Sequence, residues 1–143
     1  MTFTLNIRTR DEMAATETEN ARQSAKLRIL SKLDGAADEI TGATPLAERL
    51  SWERKANAAE AHLEGRASDA QIAMLSTEAA EVEASIDDLA HVILRNATVY
   101  AVLAARLAGL RRKFIRQIER AENVSDVHAI VQEFEAALHD LGA

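Results

Sequence analysis

The stretch that decides the fold is IDDLAHVILRNATVYAVLAARLAGLRRKFIRQI, residues 86–118. Its mostly apolar stripe recurs every three or four residues, which is the period of one face of an α-helix. The members of this stripe are Ile86, Leu89, Ile93, Asn96, Tyr100, Leu103, Leu107, Leu110, Phe114 and Ile118. At 1.5 Å per residue, such a helix extends about 50 Å. A second stripe of Val92, Val99 and Val102 widens the apolar face, which predicts helical partners on more than one side.

Two polar side chains, Asn96 and Tyr100, interrupt the stripe. We expect them to meet a polar partner inside the bundle. The alternative is that Asn96 fixes the register of a helix association, as a polar core residue can.

The composition agrees with an all-helical protein. The 143 residues suffice for one domain, and they include 29 alanines against 5 glycines and 1 proline. Only 3% of the residues are aromatic, which is too few for an all-β core. The absence of cysteine excludes disulfides and thiolate metal sites. The net charge of −6 argues against bulk attraction to nucleic acid or to anionic lipid.

Capping signals divide the chain into five helices. Starts are predicted at the capping boxes Thr9-x-x-Glu12 and Ser68-x-x-Gln71, at Thr44 followed by Pro45 in the first helical position, at Ser85, and at Ser125. Gly65 is the expected end of the second helix, whose predicted face is Leu46, Leu50, Ala56, Ala59 and Leu63.

The predicted fold class is all-α: an antiparallel helical bundle with one long central helix and an extended N-terminal arm. Short connections at 41–44, 65–68 and 122–125 favour antiparallel neighbours. We expect residues 1–43, the arm and first helix, to serve attachment or oligomerisation, and residues 44–143 to form the bundle domain.

The N-terminal arm is predicted from a period of two in Phe3, Leu5 and Ile7. It is either a frayed terminus or an extended segment that pairs with another subunit. The first half of the following helix is polar after Met13 and has little apolar surface to hold it alone. Trp52 is interpreted as a partly buried core aromatic, with an interface anchor as the alternative. The candidate partner-binding residues are Phe3, Leu5, Ile7, Met13 and Trp52.

A basic segment follows the centre of the long helix. Its candidate interface residues are Arg106, Arg111, Arg112, Lys113 and Arg116, and an acidic run precedes it at Glu78, Glu81, Glu83, Asp87 and Asp88. A nucleic-acid site is one interpretation of the basic residues. The preferred one is that they flank the acids of the last helix, Asp126, Glu133, Glu135 and Asp140, and set its register. The opposite charges at the two ends of the long helix could also orient neighbouring copies.

The sequence offers no catalytic constellation. Its four histidines form no Glu-x-x-His or His-Glu-x-x-His motif, and its glycines have no phosphate-binding spacing. We therefore predict no enzyme, no metal or other cofactor and no small-molecule substrate. The first residues lack a secretory signal, and Arg95, Asn96 and Arg106 interrupt the most apolar run, so we also expect no membrane association.

Four stretches resemble a group of known proteins. They are SWERKANAAEAHLEG (51–65), SDAQIAMLSTEAAEV (68–82), DDLAHVILRNATVYAVLAARLAGLRRK (87–113) and ENVSDVHAIV (122–131). They resemble small helical tail and tail-fibre-associated proteins of tailed bacteriophages and prophages. The resemblance runs from about Leu27 to Val131, about two thirds of the chain, and is one of helix pattern. It implies a role in the virion or its assembly and names no catalytic residue.

The resulting hypothesis is a non-enzymatic bacteriophage structural protein of the tail or of tail-fibre attachment. Its expected partners are other tail proteins and copies of itself, and its expected location is the virion, assembled in the host cytoplasm. The alternatives are a tail-fibre assembly chaperone that is not retained in the virion and a small nucleic-acid-binding helical protein.

Overall fold

The computed structural model describes residues 8–42 and 44–142. Five helices follow one another: α1 (Arg10–Thr41), α2 (Leu46–Leu63), α3 (Asp69–Glu81), α4 (Ile86–Arg120) and α5 (Val124–Leu141). They hold 87% of the described residues, among which no strand occurs, so the all-α prediction is confirmed. The arm residues Phe3, Leu5 and Ile7 lie outside the described residues.

Three of the predicted helix starts carry the expected hydrogen bonds. The Glu12 amide donates to the Thr9 hydroxyl oxygen at 3.1 Å, and the Thr9 amide donates to the Glu12 carboxylate at 2.7 Å. The same reciprocal pair joins Ser68 and Gln71 at the start of α3. The hydroxyl oxygen of Ser85 accepts from the Asp88 amide at 3.0 Å. Local side-chain capping therefore sets where α1, α3 and α4 begin.

The other two predicted caps are wrong. The Thr44 hydroxyl donates to the Thr41 carbonyl at 2.6 Å, so it serves the end of α1 and does not cap α2. Pro45 takes the capping position itself, with no side-chain hydrogen bond. Asn123, not Ser125, caps α5, because its extended backbone lets its side-chain oxygen accept from the Asp126 amide at 2.8 Å. Ser125 lies inside the helix.

Helices α2 and α3 end in the same backbone motif. At the end of α2 the Arg66 amide donates to the Ala61 carbonyl, and Gly65 adopts a φ of +71°, as predicted for a terminating glycine. At the end of α3 the amide of Ala84 donates to the carbonyl of Ala79, with a φ of +54° at Glu83. Glu83 therefore adopts a left-handed backbone conformation that favours glycine.

The described residues form two compact units. Unit 1 takes in the chain up to Ile40 and from Arg106 onward, and unit 2 runs from Thr41 to Ala105. Helix α1 is continuous through Gly35. Unit 1 is organised around one apolar cluster drawn from α1, α4, α5 and the α4–α5 connection: Ala25, Ile29, Leu33, Phe114, Ile118, Ala121, Val127 and Phe134. The rings of Phe114 and Phe134 meet edge to face, with centroids 5.4 Å apart.

Unit 2 has a core of small residues. Its buried apolar residues are Ala58, Ala59, Ala61, Leu75, Ala79, Leu89 and Ala90. The predicted face of α2 is therefore mostly wrong: Leu46, Leu50 and Leu63 are exposed. Each alanine buries little area, yet alanines let neighbouring helices approach closely. The buried face of α2 therefore follows its alanines and not its leucines.

The stripe of α4 is buried only in part. Leu89, Phe114 and Ile118 are buried, whereas Asn96 and Tyr100 are exposed. The expectation that Asn96 meets a polar partner within the bundle is therefore wrong.

Candidate interaction surfaces

In unit 1, one arginine joins α1 to the end of α4. Both Nε and Nη2 of Arg22 donate to the carbonyl oxygen of Ala121, the residue after the last one of α4, and the Nε distance is 3.0 Å. The last carbonyls of a helix have no partner within it and carry partial negative charge. A guanidinium placed there satisfies a carbonyl and complements that charge.

Ion pairs extend the contact of α1 with its neighbours. Lys26 Nζ lies 3.2 Å from Glu119 Oε1 of α4, and Arg28 Nε donates to Glu135 Oε1 of α5 at 2.7 Å. The expected pairing of Glu135 with the basic segment is therefore wrong. Arg28 of α1 lies beside α5 and takes this carboxylate instead.

The first helix also carries a short ladder of polar side chains. Hydrogen bonds from Gln23 and then from Arg22 lower the pKa of Glu19. Glu19 is exposed, so this shift reflects hydrogen bonds within α1 only.

The basic segment lies on the surface. Arg106, Arg111, Arg112, Lys113 and Arg116 are all exposed. Lys113 Nζ lies 5.0 Å from the centroid of the buried Phe114 ring. None of the ion pairs seen between described residues involves a member of this segment, so its charges face solvent or a partner.

In unit 2, an aromatic pair joins α2 to α4. The rings of Trp52 and Tyr100 meet edge to face with centroids 4.9 Å apart, and Trp52 is half-buried. Met13 of α1 is exposed. The assignment of Trp52 and Met13 to partner binding stays a prediction.

Two charged contacts hold the remaining elements of unit 2. Lys55 Nζ of α2 lies 2.7 Å from Glu78 Oε2 of α3. His62 Nε2, near the end of α2, lies 2.5 Å from Asp87 Oδ1 in the first turn of α4. The acidic run is therefore partly used in packing, while Asp88 remains exposed beside it.

A face of α4 is apolar and uncovered. Val92, Val99 and Val102 have exposed fractions of 41%, 63% and 54%. By length and composition alone, α4 is apolar enough to cross a membrane: its best 18-residue window has a mean hydropathy of 1.3, and none of that window is buried. The sequence period predicted a helical partner for this stripe, and the described residues leave all three valines exposed.

The concave features of unit 1 are open grooves. One of ≈ 530 Å³ runs between α1 and α5, lined by Asn20, Ser24, Arg28, His128, Gln132 and Glu135. Another of ≈ 650 Å³ lies nearer the end of α1. Within residues 8–42 and 44–142, no three acidic or histidine side chains gather in a group that could hold a metal ion.

Comparison of the chain with protein-family models, with curated proteins and with solved structures gave no match. The exposed apolar side chains and the charge distribution are therefore the observations that bear on function.

Proposed function

We propose that this chain is a non-enzymatic structural protein of a bacteriophage particle, a component of the tail or of its fibre attachment. The observation that carries the proposal is the amount of apolar surface left open in a short, highly helical chain. Exposed large apolar side chains occur on α1, α2, α3 and α4, including Leu27, Leu50, Ile72 and Val99. Of these residues, Val99 lies with Val92 and Val102 along one side of α4. A contiguous exposed apolar patch marks an interaction site in soluble proteins.

The specific setting comes from the sequence resemblance. The helix pattern of residues 27–131 is similar to that of small tail-associated phage proteins, which work by contact. A chain whose surface is suited to contacts fits such a role. Its partners would be other tail proteins, and it would reside in the virion after assembly in the host cytoplasm.

We also propose that the helices pack antiparallel within each unit. The connections of residues 64–68, 82–85 and 121–123 are short, and short connections favour antiparallel neighbours. In this arrangement the long helix α4 is the central element. Residues 1–7, ahead of α1, would act as the attachment arm.

The test is mass spectrometry of purified particles released from cells that encode this chain. We expect its peptides at a fixed ratio to the tail proteins, through density-gradient purification and a high-salt wash. Particles that contain every tail protein but no peptide of this chain would overturn the structural role.

A tail-fibre assembly chaperone is the second candidate. The same exposed apolar surface would then cover a fibre segment only until assembly. Its signature differs: the chain would co-purify with the fibre protein from infected cells and be absent from finished particles.

A substitution of Phe3, Leu5 and Ile7 by serine should abolish incorporation into particles if the arm attaches the protein.

A further inference from the structure

We propose that two copies of this chain associate through the exposed side of α4, in antiparallel orientation. This inference rests on the proposed assembly role and names one partner within it. The surface is a seam of six residues, all exposed or partly exposed along one continuous helix: Asp88, Val92, Arg95, Val99, Val102 and Arg106. Its three valines are the apolar centre, and opposite charges stand at its two ends.

The seam is geometrically one stripe. Successive residues of an α-helix turn by about 100°, so these six fall within an arc of about 80°. Ala90 and Ala97 lie on the opposite side of α4, where Ala90 is buried and Ala97 is half-buried. Beyond Ala97 the opposite side of α4 is exposed as well, at Ala101 and Ala104. The valine centre and the charges at the two ends are therefore what distinguish the seam.

The seam is complementary to itself when one copy is reversed. The pairs Asp88 with Arg106, Val92 with Val102, and Arg95 with Val99 all share the same midpoint, at Ala97. A two-fold interface requires that contact i to j is accompanied by contact j to i, and a reversed copy centred on this midpoint meets that requirement. Val92 of each copy then faces Val102 of the other, and Asp88 of each copy faces Arg106 of the other.

Charge decides the orientation. In a parallel pair Asp88 would face Asp88, Arg95 would face Arg95, and Arg106 would face Arg106, and like charges placed together are repulsive. In the antiparallel pair the separation of Asp88 and Arg106, about 27 Å along the axis, brings the acid of each copy to the base of the other. The long stem of Arg95 packs beside Val99 of the other copy while its guanidinium reaches solvent.

A lipid bilayer is the other apolar environment that α4 would fit by length and composition. Arg95 and Arg106 argue against it, because a charge near the centre of a bilayer is costly. The same two arginines are accommodated at the seam, one beside a valine and one opposite an acid. The observations therefore favour a second copy.

Sedimentation of the purified full chain tests the proposal. We expect a monomer–dimer equilibrium that strengthens with concentration and weakens with salt. Val99→Lys places a second cation opposite Arg95 of the other copy at an exposed position, so it should abolish the dimer without loss of helical circular dichroism. Asp88→Arg and Arg106→Asp should each weaken dimerisation about tenfold or more, because each creates two like-charge contacts per dimer. The double variant should restore it to within about threefold.

A matched control lies on the same helix. Arg112→Asp makes the same charge change as Arg106→Asp at an exposed arginine outside the seam, and it should leave the dimer unchanged. A wild-type chain that stays monomeric at all concentrations, or a dimer unaffected by Val99→Lys, would overturn the proposal. So would cosedimentation of a monomeric chain with phosphatidylcholine vesicles.

Cysteine cross-linking gives an independent readout of orientation, since the chain has no cysteine of its own. A mixture of Val92→Cys and Val102→Cys chains should form a disulfide between the two variants. Each variant alone should not form a disulfide. In an antiparallel dimer the two copies of position 92, or of position 102, lie about 15 Å apart along the helix axis. Cross-linking of Val92→Cys with itself would instead show a parallel pair. A monomeric chain found in purified particles would contradict the dimer and leave the structural role standing.

Discussion

At the scale of single residues, the end of α3 is the clearest point of backbone strain. Glu83 has a φ of +54°, whereas the equivalent position at the end of α2 is Gly65 with a φ of +71°. An L-residue in this region costs roughly 1–2 kcal/mol, because its Cβ approaches the following carbonyl oxygen. The two helix ends have the same hydrogen-bond pattern, so the difference lies in the residue.

We predict that Glu83→Gly raises the free energy of unfolding by roughly 0.5–1 kcal/mol, part of the gain being lost to the flexibility of the unfolded chain. Glu83→Gln, which removes the charge but keeps the Cβ, should not reproduce this gain. The converse change, Gly65→Ala, should destabilise. Urea denaturation followed by circular dichroism measures all three, and a destabilised Glu83→Gly variant would contradict the argument.

The residue scale is also where the sequence predicted best. The caps of Thr9, Ser68 and Ser85 depend on hydrogen bonds within four residues, so a local pattern contains what is needed. The predicted caps Thr44 and Ser125 were wrong because the backbone places Pro45 and Asn123 in the capping positions. The sequence does not reveal this backbone conformation.

At the scale of elements, the contact of Arg22 in α1 with the Ala121 carbonyl at the end of α4 contributes to the free energy of unfolding. Arg22→Met keeps most of the apolar stem but leaves the Ala121 carbonyl without its donor. Because that carbonyl is part-buried, we predict a loss of about 1–3 kcal/mol in the free energy of unfolding. Arg28→Met is the matched control on the same helix. Its exposed pair with Glu135 should be worth about 0–1 kcal/mol. Equal losses in the two variants, measured in urea, would show that Arg22 has no special role.

The faces of the alanine-rich elements could not be predicted from their spacing. In α2 the leucines point to a face that the structure leaves open, while Ala58, Ala59 and Ala61 are buried. Hydrophobic periodicity weights large side chains, but close helix packing selects small ones. The stripe of Val92, Val99 and Val102 in α4 was predicted to meet a further helix, and the described residues leave it exposed.

At the scale of the whole molecule, unit 1 draws its core from both ends of the chain. Ile29 of α1 is buried in the cluster that contains Phe114 and Phe134. No local pattern reports that residues about a hundred positions apart meet, so the sequence predicted five helices correctly but not which of them share a core. The arrangement makes the first helix a part of the folded unit.

We therefore predict that Ile29→Ala lowers the free energy of unfolding by about 2–5 kcal/mol, the range for a large buried side chain that leaves a cavity. Leu27→Ala, two positions earlier in α1 and 69% exposed, should change it by no more than about 0.5 kcal/mol. Thermal and urea unfolding followed at 222 nm measure both. Similar effects of the two changes would indicate that α1 is not packed as described.

The aromatic pair of α2 and α4 has a practical consequence for spectroscopy. Trp52 is the only indole in the chain, and its edge contact with Tyr100 lies wholly inside unit 2. Tryptophan fluorescence excited at 295 nm therefore reports on unit 2 and not on the cluster of Phe114 and Phe134 in unit 1. A melting curve recorded by fluorescence and one recorded by far-ultraviolet ellipticity will weigh the two units differently. A difference between the two midpoints will show that the units do not unfold in one step.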